Sequence, residues 1–257
     1  MANLTTVASV KSFLTITGTT QDALIAKLIA RESTYVEQWT GRVFPFTNHT
    51  DELLNGSGTK LLTLPDSPVL SVSELKVLNT VVPQSADGIQ AGFVFDETTL
   101  YLQSEGKFPQ GYKNVTCSWV AGYQAEETDF VPTGNVPVLT PTEGGTASVV
   151  ISVEDNTASL TMTEVGAAPV AGQFSFADGT FTFNSADFNH SVTMSYYYIP
   201  GAVEQAVIEM IGLDLQQRNT IGINSKSLAT ESISYEKKGM SDSAREMLQA
   251  YKMIGVY

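Results

Sequence analysis

Asn114-Val-Thr-Cys-Ser-Trp-Val-Ala-Gly-Tyr123 and His190-Ser-Val-Thr-Met-Ser-Tyr-Tyr-Tyr-Ile-Pro200 share a Val-Thr-x-Ser-aromatic core. Apolar and polar residues alternate in both, which predicts two half-buried β-strands. The echo has two readings. One is convergent strand chemistry. The other is that each strand closes a sheet of its own, the second returning the chain to the body that the first one left.

The charge pattern changes between these two stretches. Lys113 is the last base before Arg218, so residues 114–217 contain no Lys or Arg. Residues 124–199 carry nine acids, hence −9 of the chain's formal −13. A break this sharp marks a separate module within a host body. The module opens on a Pro/Gly/Thr-rich linker, Val131-Pro-Thr-Gly-Asn-Val-Pro137. Short strands follow at Ala147–Val153, Ala158–Thr163, Gln173–Phe176, Thr180–Phe183 and Ser191–Tyr198, with turn residues between them. No helical period intervenes, so 124–199 reads as an inserted all-β, sandwich-like domain.

The flanks, 1–123 and 200–257, read as one discontinuous core. Thr6 caps a short helix, and Thr19 with Asp22 resembles the cap of a second one. That second helix carries Leu24, Leu28, Ile29, Tyr35, Val36 and Trp39 at helical spacing and ends at Gly41. From Asp51 the period shortens to two, giving several short strands. Pro200 suits the first turn of a helix with Val203, Val207, Met210, Ile211 and Leu215 along one side. Arg218–Gly239 is polar, β-leaning and too long for a plain connector, so it reads as an arm that pairs with another chain. Ser241 caps a last helix. The fold class predicted is α+β: a mainly helical core with a small antiparallel sheet, plus the inserted β domain.

Chemistry is sparse. With one cysteine, Cys117, and two histidines, His49 and His190, the chain has no disulfide framework, no multi-Cys zinc site and no multi-His site. Both histidines fall in polar turns and read as exposed, and Cys117 reads as a buried strand residue. No phosphate-loop, dinucleotide, nucleophile-elbow or His-Glu-x-x-His motif occurs. Acidic pairs such as Asp96-Glu97, Glu126-Glu127 and Glu154-Asp155 lie in turns without EF-hand spacing. Catalytic residues, cofactors and metal are therefore predicted to be none, and the chain is not read as an enzyme. Its acidity argues against a phosphate-gripping nucleic-acid binder. No apolar run approaches the ~18 residues of a spanning helix, and Met1 to Leu14 has no secretory pattern.

The host segments resemble the head–tail connector (adaptor, or head-completion) proteins of tailed bacteriophages. The resemblance rests on Leu4-Thr-Thr-Val7 with Val10-Lys-Ser-Phe-Leu-Thr-Ile-Thr-Gly18, and on Asp22-Ala-Leu-Ile-Ala-Lys-Leu-Ile-Ala30 running to Val36-Glu-Gln-Trp-Thr-Gly-Arg-Val-Phe44. It continues in Pro200-Gly-Ala-Val-Glu-Gln-Ala-Val207, Arg218-Asn-Thr-Ile-Gly-Ile223 and Ser225–Tyr235. In that family the strand ending in Ala-Gly-Tyr leads almost directly into the Pro-initiated helix, whereas here about 75 residues intervene. The resemblance implies a virion protein forming a ring, usually of twelve subunits, beneath the portal. Such a ring extends the DNA channel without gripping DNA specifically and docks a tail-side completion (stopper) protein. Localisation would be the virion neck, with the host cytoplasm during assembly, and no membrane. The family has no catalytic residues to carry over.

Within that frame Ile221, Ile223, Leu228, Ile233 and Tyr235 are the candidate inter-subunit residues of the arm. Met247, Leu248 and Tyr251 are the candidate portal-docking residues of the last helix. The competing reading is a binding module in which the β domain captures a glycan, capsid or tail protein, with Tyr196, Tyr197 and Tyr198 as the aromatic contacts.

Overall fold

The structure, a computed structural model, describes residues 3–103, 106–134, 137–217, 225–228, 231–234 and 240–253. Two helices come first, α1 (Val7–Leu14) and α2 (Asp22–Thr40). Next are β1 (Thr47–Gly56), β2 (Leu61–Thr63), β3 (Val69–Val77), β4 (Thr80–Val81), β5 (Phe93–Phe95), β6 (Thr99–Leu102) and β7 (Gly111–Ala121). The acidic region holds β8 (Tyr123–Phe130), β9 (Val138–Leu139), β10 (Gly145–Asp155), β11 (Leu160–Thr161), β12 (Thr163–Glu164), β13 (Gln173–Ala177), β14 (Thr180–Phe183) and β15 (Ser191–Pro200). The chain closes with α3 (Gly201–Gln217), a hairpin of β16 (Ser225–Leu228) and β17 (Glu231–Ser234), and α4 (Asp242–Gln249).

Three apolar clusters organise these elements. The first is helical: Val10, Ile25, Ile29, Val36, Val207, Ile211 and Leu248 are buried together from all four helices. The second lies between the sheets β1-β7-β3-β4 and β2-β6-β5, with Trp119 and Cys117 meeting Leu62, Leu100 and Phe93. The third lies between β11-β10-β15-β8 and β12-β13-β14-β9, where Met194 and Tyr196 meet Phe174, Phe181 and Phe183. Among the described residues all strand pairs are antiparallel except β12–β13.

This overturns the expectation of a mainly helical core. The chain is 39% strand and 24% helix, with four helices among the described residues. The period-two stretch 47–121 does not lay a small sheet on helices. It folds into two sheets that bury their inner faces on each other, so the helices keep a separate core.

Local signals are mostly read as chemistry predicts. Thr6 caps α1 by accepting the Ser9 N–H at 3.0 Å, and Ser241 caps α4 by accepting that of Ala244 at 2.9 Å. Gly41 ends α2 in the left-handed conformation, its N–H donating to the Glu37 carbonyl. The Thr19 cap does not form: α2 begins after Gln21 with no side-chain cap, and Thr19 contributes only its carbonyl to the Asp22 N–H.

The two echoed strands occupy the same kind of place. β7 lies between β1 and β3, and β15 between β10 and β8. Val115, Cys117 and Trp119 face inward in one, Val192, Met194 and Tyr196 in the other, each at most 1% exposed. The matching serines, Ser118 and Ser195, are covered on the opposite face. Ser118 Oγ accepts the Asp51 N–H at 2.9 Å, and Ser195 Oγ donates to Glu126 at 3.2 Å. Each is thus a central strand with its inner face fully buried and its outer face half-covered.

Gly145 shows how tightly the third cluster is stitched to the helices. It opens β10 at φ +154°, and a Cβ there would lie 2.0 Å from the Ile199 carbonyl oxygen. Gly145→Ala is expected to lose about 3 kcal/mol or more, because backbone must move to admit the methyl. Gly18→Ala is the control, since Gly18 also has positive φ but open space around it; its cost should stay near 1–2 kcal/mol. Urea unfolding of the two variants beside the parent checks the contrast.

Candidate assembly surfaces

Where the three clusters meet, aromatic rings and one carboxylate hold them together. Phe46, just before β1, stacks on Tyr197 of β15 at 4.1 Å between centroids. Tyr123, at the start of β8, lies 5.8 Å from Tyr198, 6.4 Å from Phe44 and 6.2 Å from Tyr251. The three Tyr123 spacings fall in the range where ring pairs attract. Tyr196 turns the other way, into the third cluster, and donates its hydroxyl proton toward Glu127 Oε2 and the Glu143 carbonyl, both at 3.2 Å. Burial pushes the hydroxyl pKa of Tyr123, Tyr196, Tyr197 and Tyr198 upward, so these rings are neutral packing groups at physiological pH.

The carboxylate is Glu204, in the first turn of α3 and 7% exposed. Thr5 Oγ1 donates to its Oε1 at 2.8 Å, and Thr146 Oγ1 of β10 donates to its Oε2. One side chain thus ties the N-terminal segment, the acidic β region and the returning helix. Nothing in the Ala-Val-Glu-Gln run announces this, because Thr5 lies 199 residues away and Thr146 lies 58.

Beside this junction an open cleft of about 830 Å³ separates α1 and α2 from β10 and the β13–β14 turn. Thr5, Val7, Lys11, Ser148, Phe176 and Ile199 are among its walls. Lys11 pairs with Asp22 at 2.8 Å at the same cleft.

Helices α1 and α2, the two sheets of the second cluster and β8 lie within residues 3–131, the range matched by the family described as HCP, head completion protein. The chain belongs to the head completion protein family. It is accordingly a structural protein of the virion, placed at the head–tail junction. No curated protein matches it. Two similar solved chains are described as the neck of an empty GTA particle computed with C6 symmetry and the neck of a native GTA particle computed with C12 symmetry. Each is 10% identical, covers 98% of this chain and 90% of its own, and has a TM-score of 0.36.

In this head completion protein, Ile221, Ile223 and Tyr235 of the arm lie outside the described residues. Leu228 and Ile233 sit on the β16–β17 hairpin, paired with Glu231 and Lys226 respectively. The face of α4 offered to a portal is instead turned inward. Leu248 is fully buried, while Met247 and Tyr251 pack on the helical cluster. Leu248 is available to a partner only if α4 leaves its seat. Among the described residues no helix is long and apolar enough to cross a membrane.

The histidines are not the exposed turn residues expected. His49 lies in β1 opposite Trp119, stacked on it at 4.0 Å, with Nε2 2.8 Å from Asp66 Oδ2. A cross-strand ring neighbour covers what a polar local sequence leaves open. His190 is half-buried against Asp155. Cys117 is buried, and burial pushes its thiol up to about 12.

Two outcomes follow from these placements. Glu204→Ala should cost about 2–4 kcal/mol by leaving the buried Thr5 hydroxyl and the half-buried Thr146 hydroxyl without an acceptor, and Glu204→Gln markedly less; calorimetric unfolding of both checks this. Cys117 should stay inert to Ellman's reagent at pH 8 in the native protein and react stoichiometrically in denaturant.

Proposed function

We propose that this head completion protein is the repeating subunit of a ring seated beneath the portal, extending the DNA channel and docking a tail-side completion protein. The observation that carries this reading is the family match over residues 3–131. The net charge of −13 suits a channel that must let phosphate slide rather than grip it. The β16–β17 hairpin supplies a strand pair that a neighbour's sheet edge can extend, with Ile221, Ile223, Leu228, Ile233 and Tyr235 as the contacting residues. Heterologous contacts of this kind close into rings.

We further read residues 124–199 as an inserted domain within a core formed by 1–123 and 200–257, carried on the outside of the ring. The third cluster draws its buried residues from Val131 to Tyr196 alone. A bulky sandwich inside the bore would obstruct DNA. The glycan- or protein-capture reading of this domain loses its aromatic contacts, since Tyr196 is fully buried and Tyr197 and Tyr198 are engaged at the junction.

Light scattering coupled to size exclusion, on the full chain alone and with its portal, tests the ring. A ring-sized species in either condition is expected, and a monomer in both overturns it. A negative-stain envelope should place the extra mass on the rim; density filling the bore defeats the outward placement.

A further inference from the structure

One cluster of the β domain has no part in the junction. Asp155 ends β10, Asp187 lies in a 3₁₀ turn at Ser185–Asp187, and His190 precedes β15. One ligand atom from each lies within 4.8 Å of the others. Asp155 is 1% exposed and Asp187 3%.

The two carboxylates are held alike. Asp155 Oδ1 accepts the N–H groups of Thr157 and Ala158, each at 2.9 Å, leaving Oδ2 to His190 Nδ1 at 2.7 Å. Asp187 Oδ1 accepts the Gly172 N–H at 3.1 Å, while its buried Oδ2 has no hydrogen-bond partner. Each carboxylate plane is thus set by backbone amides through one oxygen; the other oxygen bonds His190 in Asp155 and has no partner in Asp187. The surrounding loops are fixed too: the Asn156 N–H donates to the Ser191 carbonyl, and the His190 N–H to that of Asp187.

Charge decides what that bond is made to. Two buried carboxylates face at most one imidazolium, and no Lys or Arg exists anywhere from 114 to 217 to offset the remainder. An orphaned buried carboxylate oxygen is costly, and a divalent cation removes the cost.

We propose that Asp155, Asp187 and His190 form a structural site for a divalent transition cation of the Zn²⁺ class. The donor set selects the class: imidazole nitrogen with two carboxylate oxygens suits borderline cations, whereas Ca²⁺ and Mg²⁺ take oxygen ligands. The cation takes the place of the hydrogen between His190 Nδ1 and Asp155 Oδ2, with the imidazole proton carried on Nε2. It would pin the β10–β11 turn, the loop at Gly172 and the entry to β15 to one another. The count of cysteines and histidines excludes thiolate and multi-His sites but does not reach a mixed set of this kind.

The test uses the full chain treated with EDTA and then titrated with Zn²⁺, Co²⁺ or Ca²⁺. Calorimetric titration should give one Zn²⁺ per chain. Melting should rise by roughly 5 °C or more at a hundredfold excess over the dissociation constant. Both effects, and the visible Co²⁺ spectrum, should vanish in Asp187→Asn and His190→Gln and persist in His49→Gln. If Asp187→Asn does not fold, His190→Gln decides. Absence of Zn²⁺ binding, binding that survives in both variants, or a response to Ca²⁺ alone overturns the proposal.

Discussion

Two central strands, each with its inner face fully buried, constrain everything else in this molecule. A strand with one face wholly buried has its register strongly specified, because a slip of one residue would turn its whole apolar set outward. β7 and β15 are such strands, and they present the same inward triplet of a β-branched residue, a sulfur-bearing residue and a large aromatic. Trp119 and Tyr196, each at most 1% exposed, supply the central bulk of their clusters. The second and third cores are built around these rings, and the connecting strand β8 leaves the first sheet at Gly122 to pair with β15 in the other.

The helices depend on where those strands end. β7 hands the chain to Tyr123 and β15 hands it to Ile199, and both residues reach the helical cluster. The junction is therefore made at strand ends, by rings and by Glu204, rather than by a broad face. This suits a protein of the head–tail junction, which must hold its parts in a set relation while leaving outer surfaces to partners. It also explains why the face of α4 carrying Leu248 is occupied within the chain: a helix of eight residues is marginal alone and needs tertiary packing to persist.

Much of the fold was legible residue by residue. Strands β10, β13, β14 and β15, the caps at Thr6, Gly41 and Ser241 and the burial of Cys117 follow from local pattern, whereas β8 and β9 had no such signal. The balance between helix and sheet did not. Periodicity shows that a strand has an inner face, but not whether that face meets helices or a second sheet. The stretch 47–121 chose the sheet, so the expected helical core was wrong. The histidines failed for a related reason. His49 and His190 sit among polar neighbours in sequence, yet their surroundings come from Trp119, Asp66 and Asp155, brought in across strands.

The sequence by itself determined the kind of protein: a chain without catalytic motifs, with an acidic, base-free middle and the helix and strand signatures of a connector. Those properties reside in composition and short-range spacing, which no folding step alters. Only the tertiary structure decided that Thr5, Thr146 and Glu204 share one buried site, that three tyrosines in a row serve inside the molecule, and that Asp155, Asp187 and His190 converge. Such sets join residues far apart in the chain, and the geometry that unites them exists only once the sheets have paired and closed over their cores.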